Sequence, residues 1–246
     1  MAGVATATKG QAGETSARPS WSGVYGGFMG AASNAKILGS TLKADFTVGS
    51  NASQESAVVD DDAKGAGVFL GFRKHLDQRF VVGVEADVLK LGHTARTINL
   101  IGGSSQPVAM LKYEVPWLST LRAVAGVSFA DILLYGTGGL AVAGESERRT
   151  QYRLVAGASI PAFTEASDAT RMGLALGAGI EWRIAGAWSL RAEWLHAHFP
   201  REVFAFPDAR GGAQASFASV QGRIARNTAD VDVARIGITY TFGLFD

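Results

Sequence analysis

The sequence predicts an all-β fold, a closed eight-stranded antiparallel barrel that spans a membrane. The first observation behind this prediction is a series of segments in which apolar residues alternate with glycine, small or charged residues. The second is that short and long connections alternate between these segments, as they do in transmembrane barrels. The third is the presence of 31 glycines and only 6 prolines, which suits a tightly curved sheet whose strands approach closely.

The clearest of these segments is the hairpin WLSTLRAVAGVSFADILLYGTGGLAV at residues 117–142. Its two alternating runs are joined only by Ala130 and Asp131. Side chains at i and i+2 lie on the same side of a strand. One face of the first run is therefore wholly apolar, with Leu121, Ala123, Ala125, Val127 and Phe129. The other face is polar or small, with Thr120, Arg122, Gly126 and Ser128. Such a strand suits a lipid-facing wall.

The first three strands are expected at Trp21–Leu38, Lys64–His75 and Phe80–Ile98. The first begins with the run WSGVYGGFMGAAS. The second has an apolar face made of Val68, Leu70 and Phe72, opposite Gly67, Phe69, Gly71 and Arg73. The third has an apolar face made of Val82, Val84, Ala86 and Val88, opposite Gly83, Glu85 and Asp87.

The remaining strands are expected at Met110–Phe129, Ile132–Tyr152, Thr170–Ile184, Trp188–Phe206 and Val231–Phe242. The fourth and fifth form the hairpin described above. In the sixth, the apolar face carries Met172, Leu174, Leu176, Ala178, Ile180 and Trp182. The seventh follows a tight turn. In the eighth, the apolar face carries Ala234, Ile236, Ile238, Tyr240 and Phe242.

The expected connections differ in length. Tight turns follow strands two, four and six, at residues 76–79, 130–131 and 185–187. Long polar loops are expected after strands one, three, five and seven, at Gly39–Ala63, Asn99–Ala109, Arg153–Ala169 and Pro207–Asp230. Short periplasmic turns and longer external loops are typical of outer-membrane barrels. The even number of strands is expected to place the N- and C-terminal ends of the chain on the side of the tight turns.

Charged residues fall on the small-residue faces of the predicted strands. They are Glu85, Asp87, Arg122, Glu181, Arg183, Arg191, Glu193 and Arg235. A soluble barrel would turn these faces to water, whereas a lipid-facing barrel encloses them. Because an unpaired buried charge costs several kcal/mol, the sequence predicts an ion-pair network in the lumen.

Aromatic residues are concentrated near the predicted strand ends, at Trp21, Tyr25, Trp117, Trp182, Trp188 and Trp194. Two explanations remain open for each of them. The residue belongs to an aromatic girdle at a membrane interface, or it reflects the ordinary enrichment of aromatics in strands.

Composition excludes several classes of protein. The net charge of +1 argues against nucleic-acid binding, which normally shows as a clear basic excess. The absence of cysteine excludes disulfides and thiolate metal sites. Residues 1–20 are expected to be a flexible polar leader, and residues 21–246 the barrel. The leader lacks the apolar core of a signal peptide, so an exported protein with this sequence is expected to be a mature form.

Several runs together resemble a known family. They are WSGVYGG, GVEADV, VPWLSTLRAVAGVSFADILLYGTGGLA, GAGIEWRIAGAWSLRAEWLH and ARIGITYTF. In combination they resemble the opacity-protein-like, OmpA-type eight-stranded outer-membrane barrels of alphaproteobacteria, which are often described as porin-like. The resemblance covers nearly all the strands but not the long loops. It implies a location in the outer membrane, contact with its lipid and lipopolysaccharide, no cofactor, and insertion by the barrel-assembly machinery.

The last strand resembles the C-terminal signal that this machinery reads, with Tyr240 and Phe242 as its aromatic residues. In the family this signal usually ends the chain. Here four residues follow Phe242, so either Phe242 or Phe245 is its final aromatic.

Four short motifs point to other chemistry. Gly136–Ala141 matches the dinucleotide fingerprint, but no amphipathic helix follows it. Residues 40–43 match S-x-x-K without the companion motifs, within a predicted loop. His196 and His198 share a strand face but have no third metal ligand nearby in sequence. The run Asp60–Asp62 suits either a solvated acidic loop or a cation that bridges to lipopolysaccharide phosphates.

The sequence favours a structural or surface-interaction role with a lumen filled by side chains, since barrels of about eight strands leave room for little else. One alternative is a barrel that binds a ligand, such as haem, a host molecule or an envelope component, through its external loops. Another is a narrow porin. A lipid-modifying enzyme is a further alternative, but no enzyme is expected because no histidine has a serine partner by spacing.

Overall fold

The computed structural model describes residues 21–43, 56–76, 79–100, 107–206 and 223–242. These residues form a closed antiparallel barrel in which each strand pairs with its neighbours in sequence and β1 pairs with β8. The strands are β1 Gly23–Lys43, β2 Ser56–His75, β3 Phe80–Leu100, β4 Pro107–Phe129, β5 Ile132–Val155, β6 Ala158–Ala185, β7 Trp188–Phe206 and β8 Arg223–Thr241. No helix in these segments is long and apolar enough to cross a membrane. The all-β, eight-stranded prediction is confirmed.

The connections at one end of the barrel are short, as predicted. We call this the tight-turn end, and the opposite end the distal end. The β4–β5 turn is Ala130–Asp131, where Ala130 has a φ of 52°. The β6–β7 turn uses Gly186, with a φ of 53°. Glycine adopts such a backbone conformation without a steric cost.

The strands extend much further toward the distal end than predicted. The expected loop Arg153–Ala169 is wrong, because β5 and β6 stay paired up to Val155 and Ala158. They are joined only by Ala156 and Gly157, both with positive φ, which is the geometry of a tight hairpin turn. Parts of the other three expected loops also belong to strands, at residues 39–43, 56–63, 99–100, 107–109 and 223–230. The remainder of those loops, the leader 1–20 and Phe245 lie outside the described residues.

The two faces of the wall follow the predicted alternation. On β6, Met172, Leu174 and Leu176 are each more than 60% exposed. On β8, Ile236 is 70% exposed, whereas its neighbour Arg235 is 4% exposed. The apolar face is therefore on the outside and the charged, small-residue face is inside, which is the reverse of a soluble barrel.

The lumen also contains apolar layers that the sequence analysis did not predict. Leu89, Leu118, Leu195 and Val233 are almost completely buried distal to the charged residues. A second apolar group, at the tight-turn end, comprises Trp21, Val81, Val124, Leu133 and Tyr135. The charged residues are thus enclosed between two apolar layers, which keep water from them on both sides.

Two of the expected girdle residues lie inside the barrel. Trp21 is 1% exposed and Tyr25 is 2% exposed, so the girdle interpretation is wrong for both. Trp182, Trp188 and Trp194 face outward, as a girdle requires, and Trp117 is half-buried. At the tight-turn end, the rings of Trp188 and Tyr240 lie 4.9 Å apart.

The distal half of the barrel is divided by two seams. In the described residues, the β2–β3 ladder extends no further than Ala66 and Lys90, and the β6–β7 ladder no further than Leu174 and His198. Beyond these positions each strand continues in register with its other neighbour alone. The distal wall therefore comprises two four-stranded groups, β7–β8–β1–β2 and β3–β4–β5–β6.

The outer face generates a test of lipid exposure. Leu176 lies midway along β6 between outward-facing Trp182 and Thr170. We expect Leu176→Arg to destabilise the barrel by about 2–4 kcal/mol, because a charge at the membrane midplane loses its hydration. Thr170→Arg, on the same face but six residues nearer the distal end, is the control and is expected to cost about 0–1 kcal/mol. Denaturant unfolding in lipid vesicles measures both, and equal effects would contradict the assigned membrane position.

Candidate functional site

The charged layer of the lumen is organised around Arg122 of β4. Its Nη2 lies 2.6 Å from Glu85 Oε1 and 2.9 Å from Asp87 Oδ2. Its Nη1 donates to Thr137 at 2.7 Å and also to Glu193. Its Nε donates to Thr120 at 2.8 Å. A guanidinium has five N–H donors, and here each of them has an acceptor although the side chain is 1% exposed.

Two further arginines complete this layer. Arg191 of β7 donates to Glu85 at 2.6 Å and also to Glu193 on its own strand. Arg235 of β8 donates to Asp87 at 2.9 Å and also to Glu193. The guanidinium of Arg191 lies 4.4 Å from the centre of the Phe69 ring. The structure thus brings six of the eight predicted lumen residues into one buried cluster.

The other two predicted residues lie nearer the tight-turn end. Glu181 pairs with Arg73 at 2.7 Å and accepts a hydrogen bond from Ser189. Arg183 is apart from the cluster, because its guanidinium is 4.0 Å from exposed Asp131 and 4.3 Å from the Trp21 ring centre. Arg73 was missing from the expected network, although it shares a face with Gly71 in the alternation of β2.

Two tyrosines donate hydrogen bonds to the carboxylates of the charged layer. Tyr25 donates to Glu85 at 2.9 Å, and Tyr135 donates to Glu193 at 3.0 Å. Each ring lies over a glycine of the next strand. A Cβ at Gly71 would be 2.5 Å from Tyr25 Cζ, and one at Gly179 would be 2.5 Å from Tyr135 Cζ. Any side chain at these glycines would displace the tyrosine, so the glycines make room for the ring.

The layer has a two-fold pattern and a balanced charge. Strands β1–β4 supply Tyr25, Gly71, Glu85 and Arg122, and strands β5–β8 supply Tyr135, Gly179, Glu193 and Arg235. In each half the glutamate and arginine are direct cross-strand partners. Together with Arg73 and Arg191, four guanidinium groups face the carboxylates of Glu85, Asp87, Glu181 and Glu193. The positive and negative charges of this layer are therefore equal in number. We call the layer the plug.

Polar side chains bridge both distal seams, and the sequence analysis identified neither group. Arg171 of β6 pairs with Glu145 of β5 at 2.9 Å, and across the β6–β7 seam it donates to the backbone carbonyl of Phe199 at 3.2 Å. It also donates to Asn227 of β8 at 3.0 Å. Across the β2–β3 seam, His93 contacts Asp61 and Ser33. Side-chain hydrogen bonds thus bridge the wall where the ladder is absent.

Two histidines do have serine partners, which corrects the sequence analysis. Ser33 Oγ is 2.9 Å from His93 Nε2, and Ser128 Oγ is 3.1 Å from His75 Nε2. In both pairs the partners are far apart in sequence and meet only because the register of the barrel aligns them. Spacing along the chain gave no signal for either pair.

The outer surface of the barrel carries a polar rim just distal to its exposed apolar face, which we call the apolar belt. His196 Nδ1 is 3.0 Å from Asp232, and His198 Nδ1 is 2.6 Å from Asp230. The run Asp60–Asp62 belongs to β2 and not to a loop, and Asp60 and Asp62 accept hydrogen bonds from Asn34. Across the described segments, no group of three or more His, Cys, Asp or Glu side chains is arranged to hold a metal ion.

The two remaining motifs lie within strands. Residues 136–141 lie within β5, where a dinucleotide fingerprint would need a strand-to-helix turn. Residues 40–43 belong to β1 and not to a loop.

The aromatic residues of the expected assembly signal face outward at the tight-turn end. The rings of Tyr240 and Phe242 lie 5.0 Å apart. The backbone N–H of Phe242 donates to the carbonyl of Val24 at 2.7 Å, which secures the end of β8 to β1.

The plug generates a stability prediction. We expect Arg122→Ala to lower the free energy of unfolding by about 3–5 kcal/mol, because the four buried carboxylates then face only three guanidinium groups and one buried negative charge is left uncompensated. Arg183→Ala is the control, since Arg183 lies outside the cluster and its ion pair, at 4.0 Å, is to the exposed carboxylate of Asp131, and such a pair is worth about 0–1 kcal/mol. The temperature at which the folded band shifts in a heat-modifiability gel measures both. An Arg122→Ala shift no larger than that of Arg183→Ala would contradict the plug.

Comparisons with known proteins agree with this architecture. A family model described as "Outer membrane protein beta-barrel domain" matches residues 2–242. The "31 kDa outer-membrane immunogenic protein" of Brucella melitensis is 28% identical over 228 residues, which cover 91% of this chain and 84% of the relative. The protein of the same name from Brucella suis matches equally well.

The crystal structure of the outer membrane protein OprG from Pseudomonas aeruginosa has a similar fold. It aligns with a TM-score of 0.56 and 12% identity, over 90% of this chain and 96% of OprG. At this identity the likeness concerns the fold alone. Because the family model covers nearly the whole sequence, the chain belongs to the outer-membrane β-barrel domain family and is a protein of the cell outer membrane.

Proposed function

We propose that this protein is a closed structural barrel whose distal strands present an interaction surface outside the cell. The observation that carries the proposal is the filled lumen. The charged layer around Arg122 spans the interior, and the apolar layers on either side of it are almost completely buried. An eight-stranded barrel has an interior only wide enough for side chains, so these layers leave no path for a hydrated solute.

The distal end supports the second part of the proposal. In outer-membrane barrels the short turns face the periplasm and the longer connections face outside. With this orientation the β5–β6 hairpin extends outward from Gly144 to its tip at Ala156–Gly157. At about 3.3 Å per residue this is about 35–40 Å of strand. A long paired hairpin is a rigid support for a binding surface, because its backbone is already ordered before a partner binds.

The name of the Brucella relatives is consistent with such a surface. Those proteins are called immunogenic, and a barrel that presents ordered strands outside the membrane is accessible to antibodies. We extend that property to this chain as part of the proposal. The partner is proposed to be an envelope or host macromolecule that contacts the distal strands.

Two further partners belong to the proposal. The outward face of Leu176, Ile236 and Ile238 contacts lipid, and the polar rim around His196 and Asp232 lies at the level of lipopolysaccharide headgroups. The barrel-assembly machinery reads the end of β8, where half-buried Tyr240 contacts both Trp188 and exposed Phe242.

A conductance measurement tests the closed lumen. The unmodified protein, reconstituted in planar bilayers, is expected to give no stable single-channel currents. The double variant Leu118→Ala/Arg122→Ala shortens one side chain in the distal apolar layer and one in the charged layer, and is expected to conduct more often than either single variant. Recovered protein is checked by heat modifiability for correct folding. Large, stable currents from the unmodified protein would favour the narrow-porin alternative.

An epitope insertion tests the exposed hairpin. A short tag placed between Ala156 and Gly157 is expected to bind antibody on intact cells. The matched control carries the same tag between Ala130 and Asp131, the equivalent turn at the tight-turn end, and is expected to bind only after the outer membrane is permeabilised. Labelling of both tags, or of the control alone, on intact cells would contradict the proposed orientation.

A further inference from the structure

The β2–β3 seam contains a hydrogen-bonded chain of three side chains from three adjacent strands. Ser33 Oγ of β1 is 2.9 Å from His93 Nε2 of β3. His93 Nδ1 is 3.1 Å from Asp61 Oδ2 of β2. Ser33 and His93 are 6% and 2% exposed. This is the arrangement of a nucleophile, a general base and an orienting acid, which is recognised by its geometry and not by sequence order.

We propose that Ser33, His93 and Asp61 form a hydrolytic site for fatty-acyl esters of lipids in the outer leaflet. Such an activity would be additional to the structural role above, and it does not depend on whether the lumen conducts. The proposal is supported by the geometry of the three side chains, by their depth in the wall and by the seam beside them.

The hydrogen bonds favour the catalytic tautomer of His93. The Asp61 carboxylate only accepts hydrogen bonds when ionised, so it selects the tautomer in which His93 Nδ1 carries the proton. His93 Nε2 then accepts the proton of the Ser33 hydroxyl. The backbone carbonyl of Ala63 competes for this proton, but at 3.3 Å it is further from Ser33 Oγ than the imidazole is.

The depth of Ser33 suits an acyl ester. On β1 the outward residues change from Ala32 to Asn34, and on β2 the same change occurs between Ala66 and Lys64. On β8 it occurs between Ala234 and Asp232. Ser33 is the residue between Ala32 and Asn34, so it lies where the apolar belt meets the polar rim. The ester bonds of membrane lipids lie at this boundary between hydrocarbon and headgroup.

The seam is the proposed approach from the lipid side, since Ser33 and His93 are themselves buried. The β2–β3 ladder ends at Lys90, and the β3–β4 register shifts between Lys90 and His93. Outward-facing Gly92 has open space beside it, since a Cβ there would meet only the Lys64 carbonyl oxygen, at 3.9 Å. Leu91 and Gly92 belong to no ladder pair with either neighbouring strand within the described residues. Their backbone amides are the proposed donors to the oxyanion.

The reaction follows from these positions. Ser33 Oγ attacks the ester carbonyl carbon while its proton moves to His93 Nε2, and the C–O bond to the lipid alcohol breaks as that alcohol takes the proton. Water then attacks the acyl-serine, gives a proton to His93 Nε2 and releases the fatty acid as Ser33 regains its proton. Water is the only co-reactant, and no oxidant or metal is needed.

A labelling experiment tests the nucleophile in the full-length protein in detergent. A fluorophosphonate probe is expected to label the unmodified protein, and Ser33→Ala is expected to abolish the labelling. Ser128→Ala is the matched control, because Ser128 also contacts a histidine and a backbone carbonyl, at 3.1 Å and 3.3 Å, but lies at the tight-turn end. It is expected to label normally. Heat modifiability verifies folding of each variant. If Ser33→Ala does not fold, Asp61→Asn is the second variant and is expected to label much more slowly than the unmodified protein, because His93 loses its orienting carboxylate.

The orienting role of Asp61 is tested by turnover of a 4-nitrophenyl octanoate probe. Asp61→Asn is expected to lower kcat by about 100-fold or more, since in a serine protease loss of the orienting carboxylate costs about 10⁴-fold. KM is expected to change little. Normal turnover by folded Asp61→Asn, unchanged labelling of Ser33→Ala, or failure of the unmodified protein to label would each overturn the proposal.

The source of the ester is tested in vesicles. Fatty-acid release is measured by mass spectrometry from phosphatidylethanolamine vesicles and, separately, from vesicles that contain lipopolysaccharide. Release from either one, lost in Ser33→Ala and retained in Ser128→Ala, supports the site and identifies the lipid. Labelling without release from either vesicle would overturn the assignment to acyl esters.

Discussion

The guanidinium of Arg122 connects β4 both to its ladder neighbour β3 and to β7, with which it shares no ladder. It binds Glu85 and Asp87 of the neighbouring strand β3, and it crosses the lumen to Glu193 of β7. A buried charge without a counter-charge costs several kcal/mol, and the lipid outside the wall offers no water to supply that solvation. The strands that carry these charges are therefore constrained to one register and one order around the barrel. The glycines at Gly71 and Gly179 follow from the same constraint, since the tyrosines that support Glu85 and Glu193 occupy the space above them.

The sequence predicts most of this layer because it determines which face of a strand each residue occupies. Glu85, Asp87 and Arg122 share the small-residue face with neighbouring glycines, and period-two alternation is a local property. Which of these charges meet depends on the register and on the curvature across the lumen. Neither is encoded within a single strand. Arg183 shows this limit, since it has the predicted parity on β6 but lies too near the tight-turn end to reach the cluster.

The distal half was less predictable for a different physical reason. Alternation is strong where one face contacts lipid, and it fades where a strand leaves the membrane and both faces become polar. Residues 158–169 of β6 have this mixed character, so their sequence predicts a loop although they stay paired with β5. The contact between Ser33 and His93 had no sequence signal at all, because it joins β1 to β3 across a seam that only the three-dimensional register defines. Trp21, two residues before β1, shares the odd-numbered parity of interior Tyr25, so the alternation alone indicates an interior position for it.

The two seams explain why polar side chains bridge neighbouring strands in the distal half. At the centre of the barrel, the wall is closed by its backbone ladders alone. A backbone ladder satisfies its own hydrogen bonds, so the wall around Arg122 needs nothing from side chains to stay closed. Where the ladder ends, the freed carbonyl groups need other donors, because a buried backbone group without a partner costs free energy. Arg171 supplies them at the β6–β7 seam through its bonds to Phe199 and Pro200. At the β2–β3 seam the bridge is the chain of Asp61, His93 and Ser33, made of groups that exchange protons and not of a permanently charged guanidinium. The two seams thus receive chemically different bridges from one structural cause, and only the second has a nucleophile within reach of a base.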